Sequence, residues 1–390
     1  MTDLKSLLTT IFLFITFICL AQNDTISSKK ELRQLKKEER IKAGKMLITP
    51  LAGPGYTPEL QLTLGAGGII SWRNSKTNLD LPRSSMPFMM AISTTGAMTF
   101  NLRPTTYWNN DKLRINGDFW YKAMPDHYWG IGYQKAYSTV KSDSTTKYFR
   151  DWFQFKTDVL FQLKKDLYTG LFIDANYTQG SEETDLIRQD ENYRRFNERP
   201  FNFGFGPAFI YDSRDVPVNA YEGLYLNAIA AFYNTRWGSD NNYQQYIVDY
   251  RQYQAVNTTK GRTIAWQLKG RFTFGDVPYG EMSQLSTPMD LRGYTWGRYR
   301  DKSMVYFLAE YRHKFMKADG TMSKSGVVGW VGSGTIFDFE QSSDYNQQAK
   351  WLPNFGVGYR LEVQPRMNLR IDVGIGRETT GFYFNFNEAF

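Results

Sequence analysis

The feature that most constrains this chain is a two-residue alternation whose polar side is charged. In Arg262 to Thr273, Ile264, Trp266, Leu268 and Phe272 share one face of an extended strand, while Gln267, Lys269, Arg271 and Thr273 share the other. Phe355 to Gln364 sets Phe355, Val357, Tyr359, Leu361 and Val363 against Arg360, Glu362 and Gln364. Asn368 to Gly376 sets Leu369, Ile371, Val373 and Ile375 against Arg370 and Asp372. A soluble sandwich also alternates, but its polar face meets water and carries scattered Thr, Ser and Lys. Opposite charges at matched depth in successive strands instead imply an enclosed lumen. Aromatic clusters near strand ends, such as Phe119, Trp120 and Tyr121, supply interfacial girdles around an apolar outer band.

Such runs recur sixteen times, near 46–53, 58–73, 88–103, 112–124, 128–140, 147–163, 167–180, 200–212, 221–234, 242–256, 262–275, 303–315, 325–338, 353–365, 367–377 and 381–390. Most reach the roughly 9 to 11 residues that a tilted membrane strand needs. An open sheet edge in lipid would strand backbone groups, so the strands must close on themselves. The expectation is an all-β chain: a transmembrane antiparallel β-barrel of sixteen strands, with the last paired to the first.

Residues 1–21 read as a signal peptide, with Lys5 ahead of the apolar run Leu7 to Ile18 and cleavage after Ala21. Cys19 is the chain's single cysteine, so the mature chain has no disulfide framework or thiolate metal site. Residues 22–45 form a basic periplasmic segment. Its stretch 29–45 carries eight Lys and Arg against three Glu, so +5 of the chain's net charge of +8 lies there. Export argues against a nucleic-acid arm, and a solvated helix with Glu38 to Lys42 pairing is the simpler reading. The barrel occupies 46–390.

The chain ends in GFYFNFNEAF. This places Phe382, Phe384, Phe386 and Phe390 on one face, opposite Tyr383, Asn385 and Asn387, and resembles the C-terminal insertion signal of outer-membrane barrels. No catalytic constellation emerges. The two histidines, His127 and His313, lie in no metal or nucleophile motif, Glu182 and Glu183 sit in a polar loop, and the glycines at 53–55 and 65–68 lack the strand-to-helix context of a nucleotide site. Neither an enzyme nor a cofactor is expected.

Residues 202–390 resemble the barrel of the bacterial surface antigen family, which includes BamA and TamA. The matching pieces run in order: GFGPAFIYDSRDVPVNAYEG at 204–223, FGDVPYGEMSQL at 274–285, LRGY at 291–294, AEYR at 309–312, VVGWVGSGTIFD at 327–338, and the tail. Residues 46–73 are similar to the family's opening strands. The resemblance implies that the long sixth extracellular loop folds into the lumen. It makes Arg292 the loop's anchoring arginine, Gly293 the residue permitting the tight backbone, Tyr294 the packed tip and Glu310 the acidic partner. Trp330-Val331-Gly332-Ser333-Gly334 stands where the family has Phe-x-Asp-x-Gly, so the resemblance gives Arg292 no second acid. Ser286-Thr287 stands where the family commonly has Gly-Gly.

The 24 residues from Gln22 to Lys45 leave no room for the POTRA domains that receive client chains in assembly members. Three functions stay open. One is protein insertion into, or translocation across, the outer membrane with a separate periplasmic partner. Another is a passive or selective pore tuned by Lys269, Arg271, Arg360, Glu362, Arg370 and Asp372. The third is a structural subunit of an envelope complex. Outer-membrane lipid surrounds the barrel in each, and periplasmic or outer-membrane proteins are the partners.

Overall fold

The computed structural model describes residues 39–40, 43–57, 60–75, 77–78, 81–256, 261–340, 350–364 and 366–390. Residues 1–21, expected from the sequence to be a signal peptide, and nearly all of the basic stretch 22–45 lie outside them. One sheet winds through the chain as a meander of sixteen antiparallel strands. They are β1 (Leu47–Thr57), β2 (Gln61–Trp72), β3 (Ser84–Ser93), β4 (Met98–Leu102, resumed at Thr105–Trp108), β5 (Leu113–His127), β6 (Lys147–Lys164), β7 (Leu167–Ser181) and β8 (Phe201–Asp212). Then follow β9 (Gly223–Tyr233), β10 (Tyr243–Ala255), β11 (Arg262–Gly275), β12 (Ser303–Met316), β13 (Met322–Phe337), β14 (Leu352–Gln364), β15 (Met367–Ile375) and β16 (Thr380–Phe386). The barrel closes where β16 meets β1.

The number sixteen is as expected, but two segments differ and their differences cancel. The run 88–103 spans a hairpin, because Gly96 adopts φ +85° and Gly96 N–H donates to the Ser93 carbonyl, so the chain turns back between β3 and β4. The run 128–140 is not a strand. Gly130 and Gly132, at φ +89° and +88°, end the extended path, and helix α1 (Tyr133–Ser138) follows. Tyr133 is buried against another loop, its ring stacked on Tyr299 at 5.6 Å, while Tyr137 stays exposed. The Phe119 to Tyr121 cluster also divides by parity. Tyr121 faces out, whereas Trp120 turns into the lumen and meets the Trp152 ring at 4.0 Å.

Elsewhere the alternation holds. Val331, Val357 and Leu268 are 59%, 66% and 48% exposed, and such residues form the outer band, while Gln267, Glu310, Arg370 and Asp372 are buried inside. Among the described residues no helix is long and apolar enough to cross a membrane. The interior is filled mainly by the connection 276–302 between β11 and β12, with help from α1, α2 (Asp185–Arg188) and α3 (Glu191–Asn197).

Candidate functional site

Arg292 sits at the inward tip of that connection with none of its side chain exposed. One terminal nitrogen donates to Glu310 of β12 at 2.5 Å and the other to Asp372 of β15 at 2.7 Å. Both carboxylates are equally buried, and the Trp330 ring of β13 lies 3.6 Å from the guanidinium centre. A guanidinium removed from water needs this charge-assisted pairing, because leaving it alone would cost several kcal/mol. The site extends one residue further on each side: Glu310 also accepts from Arg312 at 3.0 Å, and Asp372 from Arg360 at 2.5 Å, with Arg370 at 3.5 Å.

Gly293 adopts φ +112°, and a Cβ there would lie 2.7 Å from the Gly374 carbonyl carbon of β15, so both the conformation and the close approach require glycine. Its N–H donates to the Tyr383 hydroxyl at 2.9 Å, and its carbonyl accepts from Thr379. Tyr294 is buried and donates its hydroxyl to the Pro353 carbonyl at 2.7 Å. Asn354 donates to the Arg292 carbonyl and accepts from the Trp330 indole at 2.9 Å. The tip is therefore bound through side chain and backbone alike to β12, β13, β14, β15 and β16.

The residues that sequence reasoning missed here are Asp372, Trp330, Asn354 and Tyr383. Asp372 supplies the second acid that the departure at 330–334 leaves wanting, and Trp330 itself covers the cation's face. Parity already placed Asp372 inside; what it lacked was the strand register that brings residue 372 opposite loop residue 292.

Ser286, at the place where the resemblance leads to the family's common Gly-Gly pair, holds φ +80°, a left-handed conformation. Asp290 stabilises this turn: its carboxylate accepts from the N–H groups of Ser286 at 2.7 Å and Thr287 at 2.8 Å, and from the Thr287 hydroxyl at 2.8 Å. The loop's ascending arm is held separately. Arg150 of β6 donates to the Gly280 carbonyl at 3.1 Å, and Glu281 lies 3.5 Å from Arg271. Burial, reinforced by the charge of Asp174, pushes the Glu281 carboxyl up to about 7. The Lys122 ammonium lies over three indoles, Trp120, Trp152 and the loop's own Trp296, at 4.6, 5.1 and 4.7 Å.

The C-terminal phenylalanines do not share one face. Phe382 is 46% exposed on the outer surface and Phe384 is half-buried at the closing seam, while the Phe386 side chain lies outside the described residues. β16 ends at Phe386, and Asn387, at φ +65°, turns the chain inward, which breaks the parity that would have kept Phe390 outside. Phe390 is buried in the lumen beneath Arg312, which donates to its carbonyl at 2.8 Å, and Glu388 pairs with Arg360 at 2.8 Å.

Residues 65–390 match the model of the Omp85 superfamily domain. The fold is similar to that of BamA from Haemophilus ducreyi lacking POTRA domains 1–3, with a TM-score of 0.59 at 15% identity over 90% of this chain and 77% of that one. It is similar also to CdiB from Escherichia coli, with a TM-score of 0.56 at 10% identity over 87% of this chain and 62% of that one. CdiB from Acinetobacter baumannii gives 0.52 at 10% identity, over 88% and 59%. The chain thus spans about three-fifths of the length of either CdiB. Comparison with curated protein sequences finds no match. With a lumen loop tied to the wall of a closed sixteen-strand barrel and the family domain covering most of its length, the chain belongs to the Omp85 superfamily and is an integral β-barrel of the bacterial outer membrane.

Proposed function

We propose that this barrel assists protein insertion into, or translocation across, the outer membrane, with client chains delivered by a separate periplasmic partner. The observation that carries the reading is the uneven closure of the barrel. β1 and β2 are in register along their whole length, from Leu47↔Ser71 to Thr57↔Gln61, whereas among the described residues β1 meets β16 through the single pair Tyr56↔Phe384. The cause is local. β1 contains Pro50 and Pro54, which donate no backbone hydrogen bond, β16 has only seven residues, and its chain leaves the sheet at Asn387. A seam of so few hydrogen bonds costs little to open, and an opened edge offers a template to an incoming strand.

The buried loop supports the same reading over a passive pore. It occupies the lumen by means of a fully desolvated ion cluster, so steady conduction is not what this interior provides. The roles that follow are Arg292, Gly293, Tyr294 and Glu310 as the lock that keeps the lumen filled, and the outward Phe382 and Phe384 as part of the barrel's own insertion signal. The test is reconstitution. Proteoliposomes carrying the barrel should speed the folding of an unfolded eight-strand outer-membrane protein, and a Tyr56→Cys/Phe384→Cys bridge should remove that acceleration, with dithiothreitol restoring it. Equal rates in empty liposomes, or no effect of the bridge, would sink the proposal.

A further inference from the structure

At the barrel end opposite the C-terminus, four loops line a half-open cavity of about 330 Å³. Ile131, Gly132 and Lys135 reach it from the β5–β6 loop, Asp190 to Phe196 from the β7–β8 loop, Met282 and Asp301 from the lumen loop, and Asp338 from the end of β13. A short ribbon, Ser283–Gln284 against Arg300–Asp301, and the bond from Gly132 N–H to the Arg300 carbonyl at 2.9 Å fix these walls to one another.

The charges within it do not balance. Each basic side chain is already paired: Lys302 with Asp338 at 3.1 Å and Glu340 at 2.6 Å, Lys135 with Asp190 at 3.8 Å, and Arg195 with Asp276 at 2.8 Å. Among the described residues Asp301, which is 7% exposed, forms no ion pair, and its one bond is from the adjacent Lys302 N–H, at 2.8 Å to Oδ1. A buried carboxylate without a cation is costly, and a natural sequence retains one mainly where something binds.

We infer that this outer cavity is a binding site for an organic cation, an ammonium or guanidinium group whose charge is met by Asp301. A divalent metal is the poorer occupant, because among the described residues no three carboxylate, imidazole or thiol groups converge as metal ligands. The volume suits a lysine- or arginine-sized group, being that of about ten waters. Burial, with Asp338 adding its charge, pushes the Asp301 carboxyl up to about 6, as an acid awaiting a counter-ion should be.

The test uses the full chain in detergent and agmatine, which carries both cationic groups, measured by calorimetry. Asp301→Asn should weaken agmatine by about tenfold or more, whereas Asp319→Asn, at an exposed turn of the opposite end, should leave it unchanged. Spermidine and N-acetyl-arginine amide then separate a free polyamine from a polypeptide side chain as the source. Two further measurements stand independently of variant binding. Agmatine should protect Asp301 of the unmutated protein from carbodiimide labelling, read by mass spectrometry. Without ligand, Asp301→Asn should raise the thermal midpoint by about 2 °C, since it removes an uncompensated charge. Failure of all three probes to bind, indifference to Asp301→Asn, absent protection, or a lowered midpoint would each overturn the site.

Discussion

The wall built from β12 to β15 and the wall built from β1 to β3 have the same strand geometry and opposite interiors. Along β12 the inward residues Met304, Tyr306, Leu308, Glu310 and Arg312 are all buried beneath the lumen loop. Along β1 no residue is buried, and in β2 Gly68 alone is. The first wall is cross-tied by Arg292, Arg312 and Arg360 to Glu310, Asp372 and Glu388; none of the ion pairs described involves a residue of β1 or β2. The difference shows that on these two walls burial follows the loop, which leans on the first and leaves the second. The side it leaves is also where the barrel closes, so firmness and openability are divided between walls instead of averaged over all sixteen strands.

The comparison breaks most sharply at Glu310. Glu310→Ala leaves Arg292 and Arg312 short of a shared carboxylate in a water-poor interior, where losing one partner of a buried pair costs about 3–5 kcal/mol. The thermal midpoint should fall by several degrees, and planar-bilayer recordings should show current through a barrel that is nearly closed in the unmutated protein. Arg292→Ala should do the same. If either variant stays closed and equally stable, the ion cluster is not what holds the loop.

Much of the firm wall was legible beforehand because a lipid outside and a charged lumen inside impose a strict period of two. Asp372 and Arg360 face inward on that ground alone, whereas Glu310 enters as the partner that the family resemblance implies for Arg292. The pairing of Arg292 with Asp372 was not legible, since it joins residues 80 positions apart whose juxtaposition depends on strand register and loop path. In the weaker wall, periodicity read through the tight turn at Gly96, because apolar residues continue on both sides. It also promoted 128–140 to a strand, since aromatics buried under a loop alternate much as membrane aromatics do. Phe390 shows the same limit: parity extrapolates only as far as the strand continues.

The seam offers a way to sharpen the contrast. A Tyr56→Cys/Phe384→Cys disulfide closes the loosely paired edge, whereas Val327→Cys/Tyr359→Cys bridges two outward positions in the firm wall. The seam bridge should stabilise by roughly 2–4 kcal/mol, because it closes the longer loop and suppresses an opening that precedes full unfolding. The wall bridge should add less. Equal gains in thermal midpoint would mean that the seam opens no more readily than the rest of the sheet.

The loop's arm provides a pH handle that the tip lacks. Glu281 has a folded pKa raised to about 7 from an ordinary 4.5, so its ionised form is disfavoured in the folded state. Its contribution is therefore most favourable below about pH 4.5, is lost as pH rises through 7, and is level above that. The difference is about 3 kcal/mol, with the opposing attraction of Arg271 already included. The thermal midpoint should thus drop between pH 5 and pH 8.5 by more in the unmutated chain than in Glu281→Gln, and Glu281→Gln should be the more stable of the two at pH 8.5. A midpoint that rises over this window in the unmutated chain and not in the variant would reverse the assigned role.

The smallest expected effect concerns the descent to the tip. Ser286 holds a left-handed backbone that costs a non-glycine residue about 1 kcal/mol, and its buried hydroxyl oxygen has no partner among the described residues. Ser286→Gly should remove both penalties while keeping the Asp290 turn, whose bonds to position 286 use the backbone N–H. Glycine also gains freedom in the unfolded chain, which offsets part of the benefit. The net change should be a gain of about 0.5 kcal/mol, a rise in thermal midpoint near 1 °C. Asp290→Ala, which strips the acceptor from Ser286, Thr287 and Leu291 together, should lower it. A serine that proves more stable than glycine would mean that its hydroxyl engages the lumen wall, and that the loop is fastened at a point between its arm and its tip.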